Sequence, residues 1–288
     1  MMESILTRDG RQLTYVEYGS PHGNPIFLLH GTPGSRKGPR PRTQVLHLLG
    51  VRLIAYDRPG YGGSDRHQGR RIADAAHDVA DLADRLGLDQ FAVVGRSGGA
   101  PHALACAALL PARVTKVSAL VPFAPRDLMG PAWYQGMGQM NVTEYAAAER
   151  GAAAYGQLVA EQVSAIRADP GANMPFDDPD LPKADRSVVA DYGIKVMLTE
   201  NFAEGFRTSP YGWIDDTLAL VNPWGFDPAE ITAPCLLWHG TEDVFAPVGH
   251  SRWLADRISV AETVLVEGAA HFGALEALPR VLLWLITH

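Results

Sequence analysis

Ser97 stands between glycines in Gly95-Arg96-Ser97-Gly98-Gly99, with Asp243 and His271 far downstream. A serine hydroxyl becomes a nucleophile when a histidine takes its proton and a carboxylate orients that histidine. The pentapeptide fits G-x-S-x-G, a turn so sharp that a side chain two residues before or after the serine would meet neighbouring backbone. The serine is expected in a strained conformation with its hydroxyl exposed. The helix that follows aims its positive N-terminus at any negative charge developing there. Asp243, in "HGTEDVFAP", and His271, in "GAAHFG", each come just after an apolar run. A proton acceptor does not stabilise an oxyanion, so donors are also needed. In "LLHGTPGS", Gly31 lets the backbone turn so that the amide of Thr32 can point at the site, and the amide of Gly98 would be the second donor.

These residues need a scaffold that brings distant element ends together. "ILTRDGRQLTYVEYG" alternates on either side of Asp9-Gly10, a hairpin signal. Short apolar runs at 26–30, 51–57, 91–95, 117–123, 235–240 and 263–268 read as strands buried on both faces. Helical patterns lie between them. In "IADAAHDVADLADRLG", Ile72, Ala76, Val79, Leu82 and Leu86 form one stripe and Gly87 offers a stop. Alternating strands and helices imply right-handed crossovers and a doubly wound α/β sheet. From Pro125 to Phe226 no strand pattern occurs. That stretch holds Ala-rich helical segments, the loop-like "DPGANMPFDDPDLPKADRS" (169–187), and aromatics such as Trp133, Tyr134 and Trp213.

The chain has 288 residues, of which 47% are hydrophobic and 20% charged, so it can bury a sizeable core. A formal net charge of -7 argues against general nucleic-acid binding. Cys106 and Cys235 sit in apolar surroundings without metal-ligand or CxxC spacing. The first residues lack a signal-peptide pattern, and no apolar run approaches the ~20 residues that span a bilayer. A cytoplasmic protein without membrane, nucleic-acid, metal or cofactor partners, monomeric or homodimeric, is the expectation.

Together "HGTPGS", "YDRPGYGGSD", "VVGRSGGAPHALA", "HGTEDVFAP" and "GAAHFG" resemble the α/β-hydrolase superfamily. The resemblance implies a mostly parallel eight-stranded sheet with a helical cap inserted after strand 6. Residues 1–125 and 227–288 would form the core and 126–226 the cap. It implies Ser97 as nucleophile, His271 as general base and acid, and Asp243 as the orienting acid. Asp127, after the sixth strand, occupies a second position where some members place that acid. "DRPGYGGSD" (57–65) would buttress the elbow, making Asp57 structural. His102 is expected to pack or hydrogen-bond, and His30 and His239 to brace loops.

The implied activity is hydrolysis of a small or medium ester, lactone or related carbonyl substrate through an acyl-enzyme. Aminopeptidase and carbon–carbon bond hydrolase share the same triad, and a non-hydrolytic small-molecule-binding protein on this fold stays open. "HGTPG" is close to the HGGPG of proline iminopeptidases, but Thr32 replaces a glycine, and the cap carboxylates that would hold a substrate amine are not identifiable. Serine at 97 argues against enzymes with an aspartate nucleophile. Arg96 reads as a salt bridge to a neighbouring loop or as a partner for a substrate carboxylate. Trp133, Tyr134 and Trp213 are further candidates for substrate contact.

Overall fold

Asp9-Gly10 turns the chain between β1 (Glu3–Leu6) and β2 (Gln12–Gly19), which pair antiparallel with Leu6 opposite Gln12. Gly10 takes φ +84°, a left-handed conformation that glycine enters without steric cost. The computed structural model describes residues 3–169 and 181–287. Six further strands follow: β3 (Asn24–Leu29), β4 (Val51–Tyr56), β5 (Phe91–Arg96), β6 (Val114–Leu120), β7 (Cys235–Gly240) and β8 (Ala261–Val266). They join one eight-stranded sheet in the order β1-β2-β4-β3-β5-β6-β7-β8. β2 runs antiparallel to β4, and every later neighbouring pair is parallel.

Among the strands lie helices α1 (Thr43–Leu48), α2 (Ala75–Arg85) and α3 (Gly99–Leu109). Among the described residues six more fall between β6 and β7: α4 (Arg126–Met129), α5 (Gln139–Glu149), α6 (Ala152–Ala168), α7 (Lys183–Val189), α8 (Tyr192–Gly205) and α9 (Tyr211–Val221). No strand interrupts them among the described residues. α10 (Gly249–Ala255) precedes β8, and α11 (Gly273–Ile286) closes the chain.

The two-residue period of a strand explains why the apolar runs are unbroken. Phe27, Leu29, Phe91 and Val93 point to one face, where Val79 and Leu82 of α2, Ala103 and Leu104 of α3, and Leu254 of α10 cover them. Ile26, Leu28, Ala92 and Val94 point to the other, under Leu46 of α1 and Leu278, Val281 and Leu282 of α11. Both faces are covered along the central strands β3 to β7, so both sets of alternating positions there are mostly apolar.

Part of the 169–187 stretch departs from the loop expectation: Lys183–Val189 is helical, while 170–180 lie outside the described residues. Pro182 stands just before α7, where its missing N–H costs nothing and its fixed φ suits a helix entry. Buried Leu181 and Asp185 tie this short helix to the molecule.

β3 has β4 on one side and β5 on the other, so the chain reverses its direction of growth there. At such a switch point the crossovers diverge to opposite faces and leave a crevice at the carboxyl ends of the strands. Thr32 follows β3 and Ser97 follows β5.

Candidate active site

Ser97 adopts φ 54°, a left-handed conformation costing about 1–3 kcal/mol for a residue with a Cβ. Its N–H donates to the Leu120 carbonyl at 2.9 Å, which pins the turn to the end of β6. The glycine spacing has a direct steric cause. A Cβ on Gly95 would lie 2.2 Å from the Gly99 oxygen, and one on Gly99 would lie 2.3 Å from the oxygens of Leu29 and His30. A Cβ on Gly98 would meet Thr32 Oγ1 at 2.3 Å and stand 3.3 Å from the Thr32 nitrogen. The two expected oxyanion donors thus belong to backbone segments in close approach.

Asp243 follows β7 and His271 follows β8, and His271 Nδ1 lies 2.8 Å from Asp243 Oδ2. Asp243 Oδ1 accepts the amides of Phe245 at 2.8 Å and Ala246 at 3.0 Å, so the carboxylate is held from both sides. Burial alone would raise its pKa, yet His271 and hydrogen bonding from His239 hold it well below the usual carboxylate range. An ionised acceptor at Nδ1 requires the imidazole proton there, which leaves Nε2 as the basic nitrogen. Asp127 is exposed on α4, away from this pair. No hydrogen bond joins Ser97 Oγ to His271 among the described residues, although both line one cleft. Such contacts commonly tighten only when substrate binds.

Asp185 of α7, which sequence reasoning missed, accepts the amides of His271 at 3.3 Å and Phe272 at 2.7 Å. A carboxylate at the N-terminus of α11 suits the helix dipole and fixes the backbone that carries His271.

The oxyanion segment rests on an ionic network that was also missed. Asp216 of α9 is fully buried and accepts Thr32 Oγ1 at 2.7 Å, Tyr61 Oη at 3.0 Å and Arg58 Nε at 3.2 Å, and pairs with Arg70 at 2.6 Å. Arg58 also donates to the carbonyls of His30 and Gly31 and to Thr32 Oγ1. The 57–65 loop therefore braces the segment after β3 rather than the elbow itself, because the long Arg58 side chain reaches that way. Asp57 is buried and structural, accepting the amides of Arg36 at 2.7 Å and Gly63 at 3.1 Å. The available signal was composition: two aspartates in the otherwise apolar "YGWIDDTLALV".

Asp216 yields a stability prediction. Burial would raise its pKa, but Arg58 and Arg70 pull it far below the ordinary aspartate value. Asp216→Asn leaves two guanidiniums short of a counter-charge and costs about 3–5 kcal/mol of stability in urea unfolding at neutral pH. The folded pKa is depressed, so this contribution is complete above the unfolded value of about 3.9 and fades as pH falls below it. The gap between wild type and variant should narrow in acid. A gap that stays constant or widens contradicts the network's role.

His102 hydrogen-bonds through Nδ1 to the Gly98 carbonyl at 2.7 Å, and burial lowers its pKa to about 3. His30 pairs with Gly31 O at 2.8 Å and accepts the Arg58 amide at 3.1 Å. His239 bonds Ser251 Oγ at 2.7 Å and the Ala246 carbonyl. His30 and His239 brace loops, whereas His102 is tied to the first turn of its own helix α3.

Ser97, His271, Gly31 and Thr32 line a cleft of about 80 Å³, partly open to solvent. Phe123, Phe202, Trp213, Phe245 and Phe272 form its apolar wall, and Glu144 of α5 enters it. Trp213 is therefore at the cleft, its indole N–H donating to Glu144 at 2.9 Å. Trp133 and Tyr134 are not. Trp133 is fully buried, stacked on Phe123 at 5.6 Å with its N–H on the Ala124 carbonyl, and Tyr134 packs edge-on to it beneath Arg126. Their short 3₁₀ segment turns them toward a separate apolar cluster with Ala105 of α3, Tyr145 of α5 and Ala219 and Leu220 of α9. Arg96 lines the cleft, but the expected loop salt bridge is absent among the described residues.

A family profile described as the alpha/beta hydrolase fold matches residues 24–278. Epoxide hydrolase B of Mycobacterium tuberculosis is 38% identical over 132 residues, 44% of this chain and 37% of that protein. Proline iminopeptidase of Xylella fastidiosa is 33% identical over 113 residues, 38% of this chain and 36% of that protein. The chain spans little more than a third of the length of these curated relatives. The enol-lactonase from Burkholderia xenovorans LB400 shares the fold, with a TM-score of 0.72 at 20% identity over 99% of this chain and 100% of that one.

Proposed function

This chain belongs to the α/β-hydrolase family, and we propose that it hydrolyses a small or medium ester, lactone or related carbonyl compound through an acyl-enzyme on Ser97. The observation that carries this reading is the 2.8 Å contact between His271 Nδ1 and a buried, ionised Asp243, in a cleft that His271 shares with a strained serine. Ser97 Oγ attacks the carbonyl carbon while its proton passes to His271 Nε2. The amides of Thr32 and Gly98 hold the oxyanion. Collapse of the tetrahedral intermediate breaks the bond to the leaving oxygen, which takes the proton from His271. Water then gives a proton to His271 and its hydroxyl to the acyl carbon, and the acid leaves as the proton returns to Ser97. The helices of 126–226 serve as a cap whose aromatic side chains exclude water from the reacting carbonyl.

An aminopeptidase reading has one specific support, the Glu144 carboxylate in the cleft. Glu144 already accepts hydrogen bonds from Tyr155 and Trp213, and burial pushes it toward its neutral form, so an ammonium group finds a weakened partner. A fluorophosphonate probe tests the common premise: Ser97 is labelled and Ser97→Ala is not. An unlabelled wild-type serine favours a non-hydrolytic binding protein. A panel of esters, lactones and aminoacyl arylamides then separates the two hydrolytic readings, with turnover of esters or lactones expected.

A further inference from the structure

The cleft is lined by four titratable side chains, Arg96, Glu144, Tyr145 and His271. His271 is paired with Asp243. Glu144 is held by neutral donors, and burial keeps both it and Tyr145 toward their neutral forms. The Arg96 side chain differs from all three. It makes no hydrogen bond or ion pair with any described residue, although a guanidinium offers five N–H donors. Burial lowers its pKa to about 10, with no neighbouring charge contributing, so it remains a cation at neutral pH. Arg96 is half-buried, so its guanidinium faces the cleft partly withdrawn from water and without a counter-charge, which favours an anion entering there.

Its location restricts where that anion sits. Arg96 immediately precedes Ser97, and its Nη2 lies 3.5 Å from where a Cβ on Gly31 would be, beside the Gly31–Thr32 turn. Gly31 has no side chain to screen it. The same cleft is lined by Phe123, Phe202, Trp213 and Phe245, which suit an apolar or aromatic remainder.

The geometry points to Arg96 as the anion-recognition residue of the cleft, selecting carbonyl substrates that carry a free carboxylate a short reach from the carbon attacked by Ser97. The substrate class rests on the serine-hydrolase reading, whereas carboxylate binding does not. A planar guanidinium meets a carboxylate with two parallel hydrogen bonds, a geometry an ammonium cannot reproduce.

Two matched pairs test it. In calorimetry, benzoate should bind wild type at least about 10-fold tighter than benzamide, the scale of a hydrogen bond to a charged group. In kinetics, kcat/KM for monomethyl succinate should exceed that for dimethyl succinate by about 10- to 100-fold, chiefly through KM. Arg96→Gln should bring both ratios toward one, and Arg96→Lys should keep part of each. The Tm of Arg96→Gln should not fall, because no partner is lost. Equal affinity for benzoate and benzamide in wild type overturns the assignment. So does an Arg96→Gln protein that loses kcat equally on both esters, which would make the guanidinium an aid to the oxyanion. A benzoate preference in a protein whose serine takes no fluorophosphonate would sink the hydrolase reading and leave the anion site standing.

Discussion

Ser97→Ala should lower kcat by roughly 10⁴- to 10⁶-fold on the best substrate of an ester panel, the scale seen when a triad nucleophile is removed. The loss is that large because the neighbouring hydroxyl, Thr32 Oγ1, is already held by Asp216 at 2.7 Å and Arg58 at 3.0 Å and is not paired with His271. Folding should be retained. Alanine at φ 54° bears the same strain as serine, the hydroxyl makes no hydrogen bond to any described residue, and the turn is held by the Ser97 amide on Leu120. Ligand affinity should persist for the same reason, since the cleft walls are untouched. The checks are kcat on one purified substrate and the urea unfolding midpoint of both proteins. Turnover near the wild-type rate by a folded variant would end the nucleophile assignment.

Asp243→Asn should lose at least about 100-fold in kcat, and up to ~10⁴. The hydrogen bonds around the carboxylate dictate why. Oδ1 receives two backbone N–H donors, from Phe245 and Ala246, so the amide oxygen of asparagine must take that place. Its NH₂ then occupies the position of Oδ2, 2.8 Å from His271 Nδ1. A donor there forces Nδ1 to accept and moves the imidazole proton to Nε2, which can no longer take the proton of Ser97. The imidazolium formed during attack also loses its counter-charge. Asp127→Asn, on an exposed turn of α4, should lose far less. Both variants are measured on one substrate. The opposite ranking would move the acid to Asp127 without disturbing the serine or the histidine.

Much of the architecture was legible because its causes are local or repetitive. A sheet covered on both faces needs consecutive apolar residues, so β3 to β7 stand out as runs, with ends shifted by up to three residues, and β8 stands out too although most of it is exposed at the sheet edge. The 169–187 stretch shows the limit of such reading. Its Gly, Pro and Asp content suggests a loop, yet Lys183–Val189 is helical, where Asp185 secures the backbone of His271 and Phe272.

The glycines of the elbow and the turn residues of the hairpin were determined by sequence alone, since steric demands act over two or three residues and admit few residue types. So was the placing of Ser97, Asp243 and His271 at strand ends, because strand runs and their boundaries are local signals. Which charges meet was decided by tertiary structure. Asp216 and Arg58 stand 158 positions apart, and only the docking of α9 onto the β3 turn makes them partners. Packing of the other elements likewise leaves Arg96 unpaired, turns Trp133 and Tyr134 away from the cleft, and brings Trp213 and Glu144 to it. An aromatic or charged side chain records in its type that it needs an apolar surface or a counter-charge. It does not record which of several such surfaces the fold will present, and that is settled only when whole elements pack.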